Sequence, residues 1–156
     1  MPSPDLAEFG AYFALMEVGS LVQHGVELQL REEAGLSFVQ FQILAILGES
    51  GDGTQTMTTL ADRLVHSRSG LTYQAQQLEK AGLLTRAPAP EDERSTVLAL
   101  SDAGREVLAR VLPGHMAVVH DVLLDPLTAE DRAELTRLLD QVRHHMRARP
   151  PRSARR

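Results

Sequence analysis

Arg68, Ser69, Thr72, Tyr73, Gln74 and Gln76 lie along a stretch of helical periodicity, and Arg94 follows beside Asp92 in a Pro-flanked region of short apolar runs. The first group can both donate and accept on base edges: Gln pairs bidentately with adenine, Arg with guanine. The Ser67 hydroxyl at the start of such a helix suits a phosphate, because unpaired N–H groups and the positive end of the helix dipole converge there. An Arg at a hairpin end fits a narrow minor groove, where the potential is most negative, and a nearby carboxylate such as Asp92 can hold its guanidinium in place. Arg86 adds a second cation on the same hairpin. A polar helix face alone is ordinary solvated surface. Glu91, Asp92 and Glu93 repel phosphate unless Arg94 and Arg86 dominate locally.

These residues need a frame that holds them on one side. With 156 residues the chain can build one domain with a real core. It contains no cysteine, which excludes disulfides, thiolate metal sites and thiol catalysis, and a reducing cytoplasmic setting fits that composition. The N-terminal segment lacks the pattern of an export signal, and no continuous apolar run approaches the roughly 18 residues of a membrane span.

The formal charge of -5 argues against indiscriminate coating of nucleic acid, but its distribution is uneven. Residues 1–53 hold eight acids against Arg31 alone. Between positions 63 and 86, Arg63, Arg68, Lys80 and Arg86 face only Glu79, so a local basic patch survives on an acidic protein.

Apolar spacing predicts a long first helix from Leu6 through Leu30 to Gly35, interrupted by Gly19 and Gly25. Ser37 should cap a second helix carrying Phe38, Phe41, Leu44 and Leu47, and Thr58 a short third one with Leu60, Ala61 and Leu64 facing inward. Ser67 should cap a fourth whose buried stripe is Leu71, Ala75 and Leu78, ended by Gly82 in a left-handed conformation. Leu83 to Thr85 and Ser95 to Leu100 read as two strands joined at the tip Pro-Glu-Asp-Glu. Ser101 should cap a fifth helix kinked at Pro113 and Gly114, and Thr128 with Asp131 a sixth. The ending from Arg149 to Arg156 is basic, Pro-rich and expected to be disordered.

That order of elements reads as a winged helix-turn-helix. The runs LEKAGLL and DERSTVLALSDAG resemble the MarR family of bacterial winged-helix transcriptional regulators, in which Leu-Glu-x-x-Gly-Leu precedes a wing with Asp-x-Arg and a strand leading to Leu-Thr-x-x-Gly. The matching positions are Leu78, Glu79, Gly82, Leu83, Asp92, Arg94, Leu100, Ser101 and Gly104. LSFVQFQILAIL and MTTLADRLV extend the likeness more loosely, to about residues 5–146. The resemblance implies an obligate homodimer with interlocked first, fifth and sixth helices, binding a pseudo-palindromic operator and often released by a small ligand. It also implies that Arg94 is the minor-groove arginine of the wing and Asp92 its partner. Where many relatives carry two further bases, this chain has Tyr73 and Gln77.

The expectation is therefore a mainly α fold with a small β-hairpin: one domain over residues 1–150, with a DNA-binding part at about 37–100 and dimerisation helices at about 5–34 and 102–148. The expected function is sequence-specific regulation of transcription, as a ligand-responsive repressor acting on double-stranded operator DNA. The alternative is a dimeric small-molecule or protein-binding module of the same fold with little DNA affinity. An apolar or aromatic effector is expected near Phe13, Phe38 and His115. The six histidines form no i, i+4 pair, so neither a metal nor a cofactor is expected. No phosphate-cradling Gly motif, nucleophile elbow or HExxH appears, so an enzyme is not expected.

Overall fold

In the computed structural model, residues 9–149 are described; Leu6 and most of the basic tail lie outside them. Helix α1 (Gly10–Ala34) runs unbroken through Gly19 and Gly25 and ends at Gly35, whose φ of 65° supplies the left-handed cap. No interruption occurs at either glycine. Gly25 instead lets α1 approach α5, because a Cβ there would already touch Val118 at 3.4 Å and Val122 at 3.6 Å.

Helix α2 (Phe38–Glu49) opens with a reciprocal capping box in which the Ser37 hydroxyl accepts from the Gln40 N–H and the Gln40 side chain accepts from the Ser37 N–H. Strand β1 (Thr54–Thr56) follows, then α3 (Met57–Leu64). The cap of α3 is Thr56, two residues before the expected Thr58. The earlier start brings Met57 into the core, and burial decides among several threonines that are equally able to cap.

Helix α4 (Arg68–Lys80) is capped by Ser67 and closed by Gly82 at φ 75°. The Leu83 N–H donates to the Leu78 carbonyl and the Gly82 N–H to the Glu79 carbonyl, the paired bonds of a Schellman ending. Strands β2 (Leu84–Ala89) and β3 (Asp92–Leu100) form an antiparallel hairpin with only Pro90 and Glu91 at its tip, tighter than expected. β3 is the central strand, because β1 pairs with it on the other side, Thr54 opposite Ala99 and Thr56 opposite Val97.

Helix α5 (Asp102–Val119) starts at Ser101 and continues regularly through Pro113. A π-helical turn follows it, His120–Leu124. Pro113 withholds a donor from the carbonyl of Ala109, but Ala109 is exposed, so water can satisfy it. Helix α6 (Ala129–Arg147) begins with the Thr128–Asp131 capping box and buries no residue.

The core gathers Leu30 from α1, Ile43, Leu44 and Leu47 from α2, Leu60 from α3, Leu71 and Leu78 from α4, Leu84 and Leu98 from the sheet, and Val111 from α5. It lies under the α2–β3 unit, and α5 joins it through Val111. A second apolar surface is uncovered: Tyr12, Phe13 and Met16 on α1, Leu112 and Met116 on α5, and Leu138, Val142 and Met146 on α6 are all exposed. The α5 helix with its π turn is long and apolar enough to cross a membrane by length and composition alone, yet it carries Arg105, Glu106, Arg110 and Asp121 along its length.

Candidate nucleic-acid interface

Burying Leu71, Ala75 and Leu78 turns Ser69, Thr72, Tyr73 and Gln76 to the other side of α4. Tyr73 is 59% exposed although it is a large aromatic. The Thr72 hydroxyl donates to the Arg68 carbonyl at 2.8 Å, which fixes its rotamer and leaves its oxygen able to accept. The Ser67 oxygen accepts from the Gly70 N–H at 3.2 Å, so its own proton is free to be donated. One Arg68 nitrogen donates to the Thr58 hydroxyl at 2.8 Å, bracing the start of α4 against the start of α3 while other N–H groups of the same guanidinium stay available.

Two residues expected on this face are engaged elsewhere. Gln74 receives the Gln40 side-chain amide at 3.0 Å, a bond between α4 and α2 across 34 positions of sequence. Its amide oxygen thus ties α4 to α2, while its nitrogen keeps its donors. Arg86 is tied to Glu79: its Nε lies 2.9 Å and its Nη2 2.8 Å from Glu79 Oε2, and its backbone N–H reaches Glu79 Oε1 at 3.2 Å. This pair links the last turn of α4 to β2 and offsets one cation of the local basic patch.

At the wing, Asp92 Oδ1 accepts from the backbone N–H of Arg94 at 3.0 Å, and the Ser95 hydroxyl donates to Asp92 Oδ2 at 3.3 Å. Asp92 thus shapes the turn and does not hold the guanidinium as expected. Arg94 is exposed at the base of the tip. The wing is fastened to α5 by the Ser101 hydroxyl donating to the Gly82 carbonyl at 2.6 Å and the Ser101 N–H to the Leu83 carbonyl at 3.2 Å.

The residues expected to line an effector site do not all meet. Phe38 packs against the core and His115 lies against Phe41 with ring centroids 4.3 Å apart and the planes tilted by 40°, but Phe13 is 59% exposed on α1, edge-on to Tyr12. Sequence reasoning missed Gln29. It is buried, its amide nitrogen donates to the Val111 carbonyl at 3.2 Å, and its Oε1 has no partner. His115 Nδ1 is likewise buried and unpaired, and burial pushes the imidazole below its ordinary pKa. A lone Gln in an apolar helical pattern is the one signal in the sequence that points to this position. Among the described residues no three His, Asp or Glu side chains converge as metal ligands would.

A sequence model of the MarR family matches residues 34–95. The HTH-type transcriptional regulator PecS of Dickeya dadantii is 33% identical over 112 residues, 71% of this chain and 67% of PecS. The crystal structure of Sco3205, a MarR family transcriptional regulator from Streptomyces coelicolor in complex with DNA, is similar with a TM-score of 0.82 and 30% identity, covering 92% of each chain. AbsC, a MarR family transcriptional regulator from the same organism, gives a TM-score of 0.85 at 30% identity over 96% of this chain and all of AbsC, 100%.

Proposed function

The chain belongs to the MarR family and is a DNA-binding transcriptional regulator, and from that premise we propose that it works as a homodimeric, ligand-responsive repressor in the cytoplasm. The observation that carries the DNA reading is the division of α4: one stripe is fully buried, while on the opposite side Ser69 and Tyr73 are exposed and Thr72 and Gln76 half-buried. Arg94 is exposed on the wing, whose base is tied to the start of α5 through Ser101. We assign base contacts to the α4 face, phosphate contacts to Ser67 and Arg68, and the minor groove to Arg94.

The exposed apolar residues on α1, α5 and α6 support the homodimer, since so many large apolar side chains are seldom left in water. A two-fold dimer would set the α4 helices about 34–36 Å apart, on successive major grooves. Fluorescence anisotropy against duplexes from upstream of its own and neighbouring genes tests this, with sedimentation to establish the dimer. Absence of sequence preference at every moderate salt concentration refutes it.

The effector reading rests on Gln29 Oε1 and His115 Nδ1, buried polar atoms that lack partners in the α1–α2–α5 junction beside Phe41. A small aromatic molecule with a hydroxyl group could donate to Gln29 Oε1 or pair with His115 Nδ1. Thermal shift against a phenolic panel checks this, and failure of every compound to stabilise the protein or to weaken DNA binding rejects it.

A second reading, a dimeric binding module with little DNA affinity, is favoured by the acidic tip at Glu91, Asp92 and Glu93 and by the neutralisation of Arg86. The same titration separates the two.

A further inference from the structure

Arg147 stands in the last turn of α6 and reaches back to the helix-turn-helix. Its Nη1 donates to the Asp62 carbonyl at 2.7 Å and its Nη2 to the Arg63 carbonyl at 2.9 Å, across 85 and 84 positions of sequence. Both acceptors belong to the final turn of α3, where regular i→i+4 pairing runs out; the Asp62 carbonyl also takes the Val65 N–H at 3.4 Å, and the guanidinium adds a shorter bond to it. A guanidinium there also meets the negative end of the helix dipole.

The turn it grips is a strained one. Val65 has φ 53°, and it is the only non-glycine residue with positive φ among the described residues. A β-branched side chain adopts that conformation only where its surroundings impose it, yet Val65 is 61% exposed and gains no burial in return. Beyond it the His66 N–H closes on the Ala61 carbonyl and Ser67 opens α4. The geometry of Asp62 to Ser67 therefore sets the direction in which α4 leaves α3. Arg63 is also braced from the other side, its guanidinium 3.1 Å from Glu49 at the end of α2.

The contact is not a by-product of close packing. α6 buries no residue, and an open cleft of about 510 Å³, lined by Arg63, Asp140, Arg143, His144 and Arg147, lies where it meets α3. Two directed hydrogen bonds bridge an otherwise wet gap.

We infer that Arg147 is a positioning residue for operator binding, a clasp by which the dimerisation helix α6 fixes the α3–α4 turn and, through it, the attitude of α4. The inference rests on the DNA-binding reading for its consequence, but the clasp itself can be observed without DNA. A change in the placement of α6 would reach the reading helix along this link, by a route separate from the α1–α2–α5 junction.

Hydrogen exchange by mass spectrometry on the full chain compares wild type, Arg147→Ala and Arg147→Lys. In Arg147→Ala, amides of residues 62–68 should exchange roughly tenfold faster while those of 43–47 in the core keep their protection. Arg147→Lys should recover part of the difference, because its ammonium keeps the charge but lacks the planar fork. Unchanged exchange at 62–68 in Arg147→Ala overturns the clasp whatever the DNA result. Loss of protection in the core as well would also overturn it, by making Arg147 a general stabiliser. The second arm uses the tightest duplex recovered by wild type from a randomised pool. Affinity for it should fall roughly fivefold to tenfold in Arg147→Ala with the salt slope unchanged, whereas a slope reduced by about 0.9 would make Arg147 a phosphate contact and overturn the inference. If wild type selects no duplex, the DNA-binding reading fails and the exchange measurement still decides the clasp.

Discussion

Asp92 holds Arg94 by its backbone and not by its side chain: Oδ1 takes the Arg94 N–H at 3.0 Å, so the carboxylate shapes the wing turn while the guanidinium has no partner among the described residues. The two residues accordingly have separable roles. Arg94→Ala should lower operator affinity at least about tenfold and reduce the salt slope by about 0.9, the signature of one lost phosphate-groove cation. Asp92→Asn keeps an acceptor for the Arg94 N–H and removes a negative charge from the tip, so it should bind DNA as well as wild type or better. Asp92→Ala loses the acceptor and should bind less well than Asp92→Asn. Anisotropy titrations across a salt series distinguish these outcomes; Asp92→Asn as damaging as Arg94→Ala would show that the carboxylate grips the guanidinium once DNA is bound.

Glu79 and Arg86 form the corresponding lock between α4 and β2. The pair is partly shielded, with side chains 25% exposed for Arg86 and 37% for Glu79, and it also satisfies a backbone N–H. Glu79→Gln should therefore cost stability on the order of 1 kcal/mol, read as a fall of about 2–4 °C in Tm. It should simultaneously raise affinity for non-specific DNA by a few fold, because Arg86 regains an uncompensated charge beside the α4 face. A stability loss with no gain in non-specific binding would mean that Arg86 stays turned away from DNA.

Those two locks also mark where reading the chain alone stops. The helix starts are legible because cap chemistry is local: Ser37 with Gln40, Ser67, Ser101, and Thr128 with Asp131 each act within three residues. The buried stripe of α4 and the glycine ending at Gly82 follow from period and backbone freedom in the same way. Strand β1 escapes because three residues cannot display alternation, and its existence depends on β3 more than forty positions away. Side-chain employment is invisible for the same reason. Nothing near Gln74 or Arg86 in sequence announces the bonds to Gln40 and Glu79, and nothing near Arg147 announces Asp62 and Arg63. The exposure of Phe13 is hidden in the same way, since an aromatic on an apolar stripe reads alike whether the stripe is covered or open.

His115 should make stability depend on pH near neutrality. Desolvation lowers its pKa in the folded protein, so the unfolded chain binds a proton more readily, with an ordinary value of about 6.5. Since stability rises with pH wherever the unfolded state holds more protons, the contribution is complete above about pH 7.5. It declines as pH falls through about 6.5 toward the folded value. The side chain keeps some contact with water, and Glu33, on the solvent side of α1, lies against the neighbouring Gly114, so the effect should be modest. His115→Phe keeps the stacking on Phe41 without the titration. Urea denaturation of both proteins from pH 5.5 to 8 should show a shallower acid decline in the variant, and parallel curves would remove His115 from the pH response.

Gly104 offers the sharpest test of how the wing is seated on α5. It lies in the first turn of α5, where Ala would ordinarily be favoured over Gly by about 0.8–1 kcal/mol. A Cβ at this position, however, would collide with the backbone carbonyl of Leu83 and lie 2.7 Å from Leu100 Cδ1. That carbonyl already accepts the Ser101 N–H and belongs to the turn leading into β2, so it cannot withdraw without loosening the start of the wing. Overpacking of this kind costs about 1–3 kcal/mol, enough to outweigh the helix preference. Gly104→Ala should therefore lower Tm by several degrees and weaken operator binding beyond what the stability loss explains, because the displaced segment carries β2 and with it the placement of Arg94. Gly82→Ala provides the contrast: its Cβ would meet nothing within 4 Å, and its cost comes only from a φ of 75°. If Gly104→Ala were instead stabilising, the close approach of α5 to Leu83 would be soft, and the wing would hang on the Ser101 hydrogen bonds alone.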